Sequence, residues 1–514
     1  MDENKKKEIR WSVFIPAFSF VLIAAIIGIV NNEALTSMSN TFFAWSLESF
    51  GWLYQITVMA VFIITCVIMF SKLGSVRIGG KDAKPKYSFG TWFAMTLTGG
   101  VATGIVTWGV NEPIIYLGNV WGELDALGIQ PGTAEAARFA MGRCFYNWTF
   151  IPYAIYALAG IVVAYIYFNK KEQLNVTSTL QPLFGDKIKK GVASSIIDTL
   201  SMLAIAIGLC TALTMCITLI ITGLNASYGL SNNLTMFIVV GILIVAMFTL
   251  SSYVGLDKGL KKLAGINAYF YYGLLILLLV TGPTLYILRN TTAGMAEWLH
   301  NFWRWGLDPI DIGGAPLTRS WTRFDFAFWV AYAPVTGIFL GQISYGRTIR
   351  ECLIVNLVLP AVFGIVWFGV WGSTALNMQL TGQVDLVGVI QNSNAVMGLF
   401  EFIKNIPLAA ILVPVNLFVI LISFVTAADA TANNVASMCI KNIPIGSEAP
   451  RYLKVLWGVI IGVVAIVMAA FGGGEQGVAG VKSLAAAGGF VVLFIFILQV
   501  ISAIKMFFVD KIVE

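Results

Sequence analysis

The chain has 514 residues, of which 58% are apolar and only 11% charged. Soluble domains carry roughly 25% charged residues, so this composition cannot cover a water-facing surface, and a soluble multi-domain enzyme is excluded. The net charge of +6 is scattered and forms no concentrated basic face of the kind nucleic acid requires.

In a bilayer each crossing needs about 20 apolar residues, and only helices or closed barrels satisfy the backbone there. The apolar runs are far longer than a barrel strand. They predict an all-α polytopic membrane protein with twelve transmembrane helices, at about 12–30, 50–70, 91–118, 146–168, 194–224, 232–252, 266–288, 324–343, 354–376, 408–433, 452–471 and 483–509. The first run follows Lys5-Lys6-Lys7 and Arg10 but is too long for the apolar core of a signal peptide. Loops 71–89 and 169–193 carry much of the basic charge. With the N-terminus in the cytoplasm, 24 of the 32 Lys and Arg residues fall inside, which predicts cytoplasmic termini on the positive-inside rule.

The third span contains Gly99, Gly100, Gly104 and Gly109 and ends in Glu112-Pro113. The eighth contains Pro334, Gly337 and Gly341. Both are expected to be interrupted, with Gly100 and Gly104 at an unwound stretch, because paired interruptions point to a midplane site between repeats. The same glycines also suit close helix packing. A separation of five spans suggests two inverted five-helix repeats after two extra helices. The expected division is 1–90 (two helices and a loop), 91–289 (first repeat), 290–323 (an interfacial connection rich in Trp) and 324–514 (second repeat).

Catalytic and metal constellations are missing from the sequence. The only histidine is His300, in the connection, where it is expected to be exposed. The six cysteines form no CxxC pair, and no GxxxxGK[ST] motif occurs. No enzyme activity, metal or cofactor is expected. Aromatic side chains are more informative. Trp321, Phe328 and Tyr332 share one face of the eighth span with Trp329 on its flank, and the fourth carries Trp148, Tyr153 and Tyr156. Such stripes serve helix packing or form a cage for a cation. A trimethylammonium group has no N–H to donate, so ring faces are its natural partners. Glu112, Asp198 and Asp429 are the acids nearest membrane depth, where an ionisable group is a functional candidate. Glu112 also reads as a wet residue at an outer end, Asp198 as cytoplasmic, and Asp325 as a helix cap or an outer cation attractor.

Four stretches carry a resemblance: Trp321-Thr-Arg-Phe-Asp-Phe-Ala-Phe-Trp-Val-Ala-Tyr-Ala-Pro-Val-Thr-Gly337, Ile343-Ser-Tyr-Gly-Arg-Thr-Ile-Arg-Glu351, Gly109-Val-Asn-Glu-Pro113, and Phe424-Val-Thr-Ala-Ala-Asp429. Together they resemble the betaine/choline/carnitine transporter family. Trp148 with Tyr156, and Gly208 with Thr211, fit its fourth and fifth spans. The resemblance implies a LeuT-like fold, a homotrimer in the lipid bilayer, and a small quaternary amine as substrate. Its aromatic box would draw on Trp148, Tyr153, Tyr156, Phe328, Trp329 and Tyr332, and Arg347, Arg350 and Glu351 would form a cytoplasmic charged motif.

The chain also departs from the family. Trp is usual where Phe326 and Phe328 stand, and an aromatic where Asp325 stands. The glycine-rich string of sodium-coupled members is here Gly100-Val-Ala-Thr-Gly104, and Thr-Ser-Ala-Asp is here Thr426-Ala-Ala-Asp429. Ala427 removes an oxygen that a hard cation would use, leaving Thr426 and Asp429 as ion-linked candidates and sodium an open partner. Sodium-independent carnitine exchangers carry a basic residue where Asn267 aligns. The expected function is secondary transport of glycine betaine, choline, carnitine or a related betaine across the cell membrane by alternating access, with exchange as a candidate coupling. The alternative is a sodium-coupled symporter of an amino acid or other osmolyte on the same fold.

Overall fold

The computed structural model describes residues 8–510 except 102–103, 255–260, 309–316, 394, 442, 444–446 and 472–474. Among the described residues, eleven single helices and one bent pair are long and apolar enough to cross a membrane. In chain order they are Trp11–Val30, Glu33–Phe70, the pair Phe89–Gly99 and Gly104–Gly118, Ala134–Asn169, Val192–Tyr228, Leu234–Val254, Lys261–Thr281, Thr318–Ile343, Ile349–Leu380, Ala409–Met438, Arg451–Ala470 and Gly488–Val509. We number these spans one to twelve. The second, at 38 residues, is about 57 Å long and exceeds a hydrocarbon core of about 30 Å. Its start is earlier than hydropathy suggests because Asn31 caps it, accepting from the Ala34 N–H at 2.9 Å. The fourth also starts early, because Ala134–Phe145 is helical yet holds buried Arg143 among its apolar residues.

The helix pairings have a hidden symmetry. The fourth span lies along the eighth and the ninth along the second half of the third. The fifth packs on the tenth, the sixth on the eleventh, the twelfth on the eighth and fifth, and the seventh on the third and tenth. Shifting every number by five maps this set onto itself. An odd shift reverses the direction of crossing, so the two five-helix repeats are inverted. The two extra helices sit outside: the first against the fifth and eleventh, the second against the twelfth and fourth. The fourth and fifth spans are mostly buried along their most apolar stretches, whereas the sixth is largely exposed.

The two expected interruptions fare differently. The third span bends by 57° between its halves. Gly100 belongs to the helical segment Phe89–Val101 and Gly104 opens Gly104–Gly118; residues 102–103 between them lie outside the described residues. The eighth span is not interrupted. Phe324–Ile343 is one helix with Pro334 inside it, continuous with the turn Thr318–Arg323. Its glycines serve packing instead. A Cβ on Gly337 would stand 2.7 Å from the Ala159 methyl, and one on Gly341 2.8 Å from Val163. The helical backbone therefore begins upstream of Asp325, which sits inside the first turn rather than at the N-cap.

After the seventh span the chain breaks at Gly282-Pro283 and forms the amphipathic helix Thr284–Leu307. Ile287, Asn290, Gly294, Trp298 and Trp305 face the bundle, whereas Leu285, Leu288, Leu299 and Trp303 are exposed. That outer face suits a lipid interface. His300 is exposed on this helix.

The basic end is a joint rather than a loose set of anchors. Arg77 donates to the Gly346 carbonyl at 2.6 Å, and Arg350 donates to Met69 and Ser71 carbonyls at 2.9 and 2.8 Å. Thr348 and Glu351 form a reciprocal cap on the next helix. Gly346 has φ +78°, and a Cβ there would meet the Lys84 backbone, so only glycine fits this turn.

Candidate functional site

A cavity of about 350 Å³ lies between the two halves of the third span, which meet at its wall, and the fourth, fifth, eighth and tenth spans. The fourth span places its inner wall. Its backbone departs from helical geometry at Thr149 (φ −119°, ψ −113°), and this offset aims Trp148 across the bundle. The Trp148 ring lies against Gly104, where a Cβ would approach it to 3.1 Å. The eighth span supplies the opposite wall through Phe324, Phe328 and Tyr332, one helical turn apart, with Trp329 beside them. Trp148 and Trp329 meet edge-on at 5.2 Å, Phe328 and Trp329 at 5.4 Å, and Tyr156 and Trp329 at 6.4 Å. Tyr332 donates its hydroxyl to the Gly208 carbonyl at 2.7 Å, and its ring fills the notch that this glycine leaves.

Glu112 holds this wall in place. It is 1% exposed and therefore not a wet residue at a span end. The Trp148 indole donates to its Oε2 at 2.5 Å, and the Asn147 amide donates to its Oε1 at 2.8 Å. The same amide reaches the Tyr116 hydroxyl at 2.9 Å. Both carboxyl oxygens are thus used, and the rotation of the Trp148 ring is fixed by its hydrogen bond to one of them. The ninth span anchors the segment from behind, where Trp367 donates to the Ile105 carbonyl at 2.9 Å and seats its ring on Gly109.

A second aromatic layer lies at the end of the cavity nearest the loop after the third span. Trp321 stacks on Trp121 at 5.5 Å, meets Trp108 edge-on at 6.1 Å and contacts Tyr116 at 4.7 Å. Glu123, in the loop after the third span, accepts from the Trp321 indole at 3.1 Å and the Trp121 N–H at 3.0 Å. Burial pushes its pKa above the usual carboxylate range. Among the described lining residues the only ionisable carboxylates are Glu112 and Asp325, and there is no Lys, Arg or His.

Of the residues expected from sequence, Gly104, Trp148, Tyr156, Phe328, Trp329 and Tyr332 line the cavity. Tyr153 is buried in the fourth span and is not among its lining residues. Thr426 donates to the Ile422 carbonyl of its own helix at 2.7 Å, and Asp429 accepts from Ser251 of the sixth span at 2.7 Å. The tenth span instead turns Ala427, Ala430 and Thr431 to the cavity. Asn267 donates to Ser423 at 2.8 Å, tying the seventh span to the tenth. Asp198 is not a wet cytoplasmic residue: it is fully buried and paired with Arg10 at 2.7 Å. Sequence reasoning missed Trp108, Trp121 and the role of Glu112. The spacing of Trp108, Glu112 and Tyr116 by four was a usable signal; nothing local marked Trp121.

Residues 12–512 match the family described as BCCT, betaine/carnitine/choline family transporter. The glycine betaine transporter OpuD of Bacillus subtilis (strain 168) is 32% identical over 468 residues, covering 90% of this chain and 88% of its own. An ectoine/hydroxyectoine transporter of Virgibacillus pantothenticus is 28% identical over 471 residues, covering 91% and 92%. Among solved structures, the substrate-bound outward-open state of a sodium-coupled sialic acid symporter aligns over 88% of this chain and 97% of that one, with a TM-score of 0.40 and 13% identity.

Proposed function

The chain belongs to the betaine/carnitine/choline transporter family, and from that premise we propose that it moves a quaternary ammonium compound such as glycine betaine, choline or carnitine across the cell membrane by alternating access. The observation that carries this reading is the cavity wall of Trp148, Tyr156, Phe328, Trp329 and Tyr332, with two carboxylates and no basic group among its described lining residues. Ring faces attract an alkylated ammonium that cannot hydrogen-bond, and each desolvated contact contributes about 2 kcal/mol. Trp329 is the central member because three of the other rings pack around it. The expected result for Trp329→Ala is a loss of uptake of at least roughly tenfold at equal expression. Unchanged uptake in that variant overturns the cage.

Exchange is the coupling we favour over sodium symport. Ala427 faces the cavity where a hydroxyl would serve sodium, and the Thr426 hydroxyl is used by its own helix. Asp429 accepts from Ser251 and is not among the lining residues of the cavity, so it stays an ion-linked candidate only by its place in the tenth span. Uptake into proteoliposomes separates the two modes: stimulation by preloaded betaine means exchange, and stimulation by an inward sodium gradient means symport. A second reading is a sodium-coupled symporter of an amino acid or other osmolyte. The 28% identity to an ectoine transporter and Phe328 in place of a larger ring favour it. Competition by ectoine or neutral amino acids, and not by betaines, selects this alternative.

The same proposal places both termini in the cytoplasm, from the concentration of Lys and Arg at one end of the bundle. It takes residues 91–289 and 324–514 as the two repeats joined by 290–323, with Gly100 and Gly104 flanking the hinge of the first. It takes the assembly as a homotrimer, checked by the mass of the detergent-solubilised protein.

A further inference from the structure

A groove of about 570 Å³ opens between the first half of the third span and the seventh span, away from the central cavity. Lys261 and Lys262 stand at its mouth, both exposed, with no hydrogen bond or ion pair among the described residues. No acid is among its described lining residues. Below the lysines the wall is apolar and aromatic, formed by Phe93, Ile266, Tyr269 and Tyr272. The groove continues into a stripe of the seventh span, where Tyr269, Tyr272, Ile276 and Val280 are 78%, 37%, 64% and 73% exposed. Apolar and aromatic side chains at that exposure suit contact with hydrocarbon, and a groove beside them would open sideways into the bilayer. Its mouth lies at the end of the bundle that carries the basic loops.

We propose that this groove binds a phospholipid with an anionic headgroup, its phosphate between Lys261 and Lys262 and an acyl chain along Phe93, Ile266 and Tyr272. Basic pockets between membrane helices take anionic headgroups, because the charge is matched where water is scarce. The first turn of the helix starting at Phe89 borders the same mouth through Gly90 and Thr91, and the positive end of its dipole adds to the potential there. A soluble anion would not use the apolar wall, and a soluble partner would not reach a groove that faces lipid. Occupancy has a route to transport. The half-helix that forms one wall of the groove ends at Gly99, which lines the central cavity, and it meets its second half at a 57° bend. A lipid wedged between this half-helix and the seventh span therefore sets its position.

Native mass spectrometry of the full chain, titrated with phosphatidylglycerol or phosphatidylcholine, tests the site directly and does not depend on substrate identity. The expected result is retention of phosphatidylglycerol over phosphatidylcholine, with that preference falling roughly tenfold in Lys261→Gln/Lys262→Gln. Lys170→Gln/Lys171→Gln, which removes the same charge elsewhere at the basic end, should keep it. Gly265→Leu gives an independent arm. A Cβ at Gly265 meets nothing within 4 Å, so the new side chain fills the groove without strain and should displace the lipid with both lysines intact. Uptake into phosphatidylcholine vesicles should rise when phosphatidylglycerol is included, for the wild type and not for Gly265→Leu. Equal retention of both lipids overturns the proposal. So does full preference in both the lysine and the glycine variants, or displacement of the lipid by millimolar glycerol phosphate, which would mark a free-anion site.

Discussion

At the scale of single residues, the site depends on how one acid is used. Glu112 is buried at membrane depth, and its two oxygens are taken by Trp148 and Asn147. It acts on the cage by orienting a ring. Glu112→Gln keeps one carbonyl oxygen for two donors, so either the indole or the Asn147 amide loses its acceptor. An orphaned buried donor costs about 1–3 kcal/mol. The expected outcome is a roughly tenfold rise in KM for a betaine, with the maximal rate less affected; uptake kinetics at matched expression decide it, and an unchanged KM removes Glu112 from the site. Phe328 offers the opposite test. It packs against Trp329 and Tyr332 and borders open cavity, and Trp is the strongest ring partner for a cation. Phe328→Trp should lower the KM for glycine betaine several-fold, and a rise would show that the smaller ring is required for the native substrate. The aromatic wall was largely legible in the sequence because period-four spacing survives in any helix. Tyr153 was not separable from Tyr156, since residues three apart share a helical face and the neighbouring spans decide which ring reaches the cavity.

At the scale of elements, glycine meant two different things, and spacing alone did not distinguish them. In the third span it flanks a real bend; in the eighth it permits close contact with the fourth along an unbroken helix. The difference lies in the partner surface, Ala159 and Val163, which is far away in sequence. Gly337→Leu must push these helices apart, and overpacking typically costs about 1–3 kcal/mol. Lower thermal stability in detergent is expected, whereas Gly273→Leu on the seventh span, with nothing within 4 Å of its Cβ, should be tolerated. The loop after the third span gives a pH test. Burial raises the pKa of Glu123, so its docked state is favoured below the ordinary carboxylate pKa and loses that advantage as pH rises through the raised value. Tryptophan fluorescence should therefore titrate above the usual Glu range as Trp121 and Trp321 lose their shared acceptor. Glu123→Gln should abolish that titration; persistence of the same transition assigns it to another group.

At the scale of the whole molecule, hydropathy located all twelve spans, because a bilayer imposes a length that a sequence must obey. It did not reveal how the N-terminal segment joins the repeats, since that joint is made of polar contacts between distant residues. Glu8–Ile9 pairs antiparallel with Ile440–Lys441 at the end of the tenth span. Arg10 then donates to Asp198 of the fifth at 2.7 Å, while Asp198 also accepts from the Thr177 N–H at 3.0 Å. One buried ion pair thus fastens the first extra helix to the fifth and tenth spans, which pack on each other across the repeat symmetry. Breaking a buried pair from one side leaves an uncompensated charge and costs about 3–5 kcal/mol, while replacing both members with apolar groups is often neutral. Asp198→Asn should accordingly lower thermal stability sharply, and Arg10→Met/Asp198→Leu should recover much of the loss. If the pair only holds the scaffold, the double variant also regains uptake. If it must open and close with each transport cycle, the double variant is stable yet slow, because an apolar contact lacks the exchange of partners that a charged pair makes with water. Thermal unfolding and uptake measured on the same two variants therefore separate a fastening role from a gating one, and equal stability of Asp198→Asn and the wild type would show that the contact carries neither.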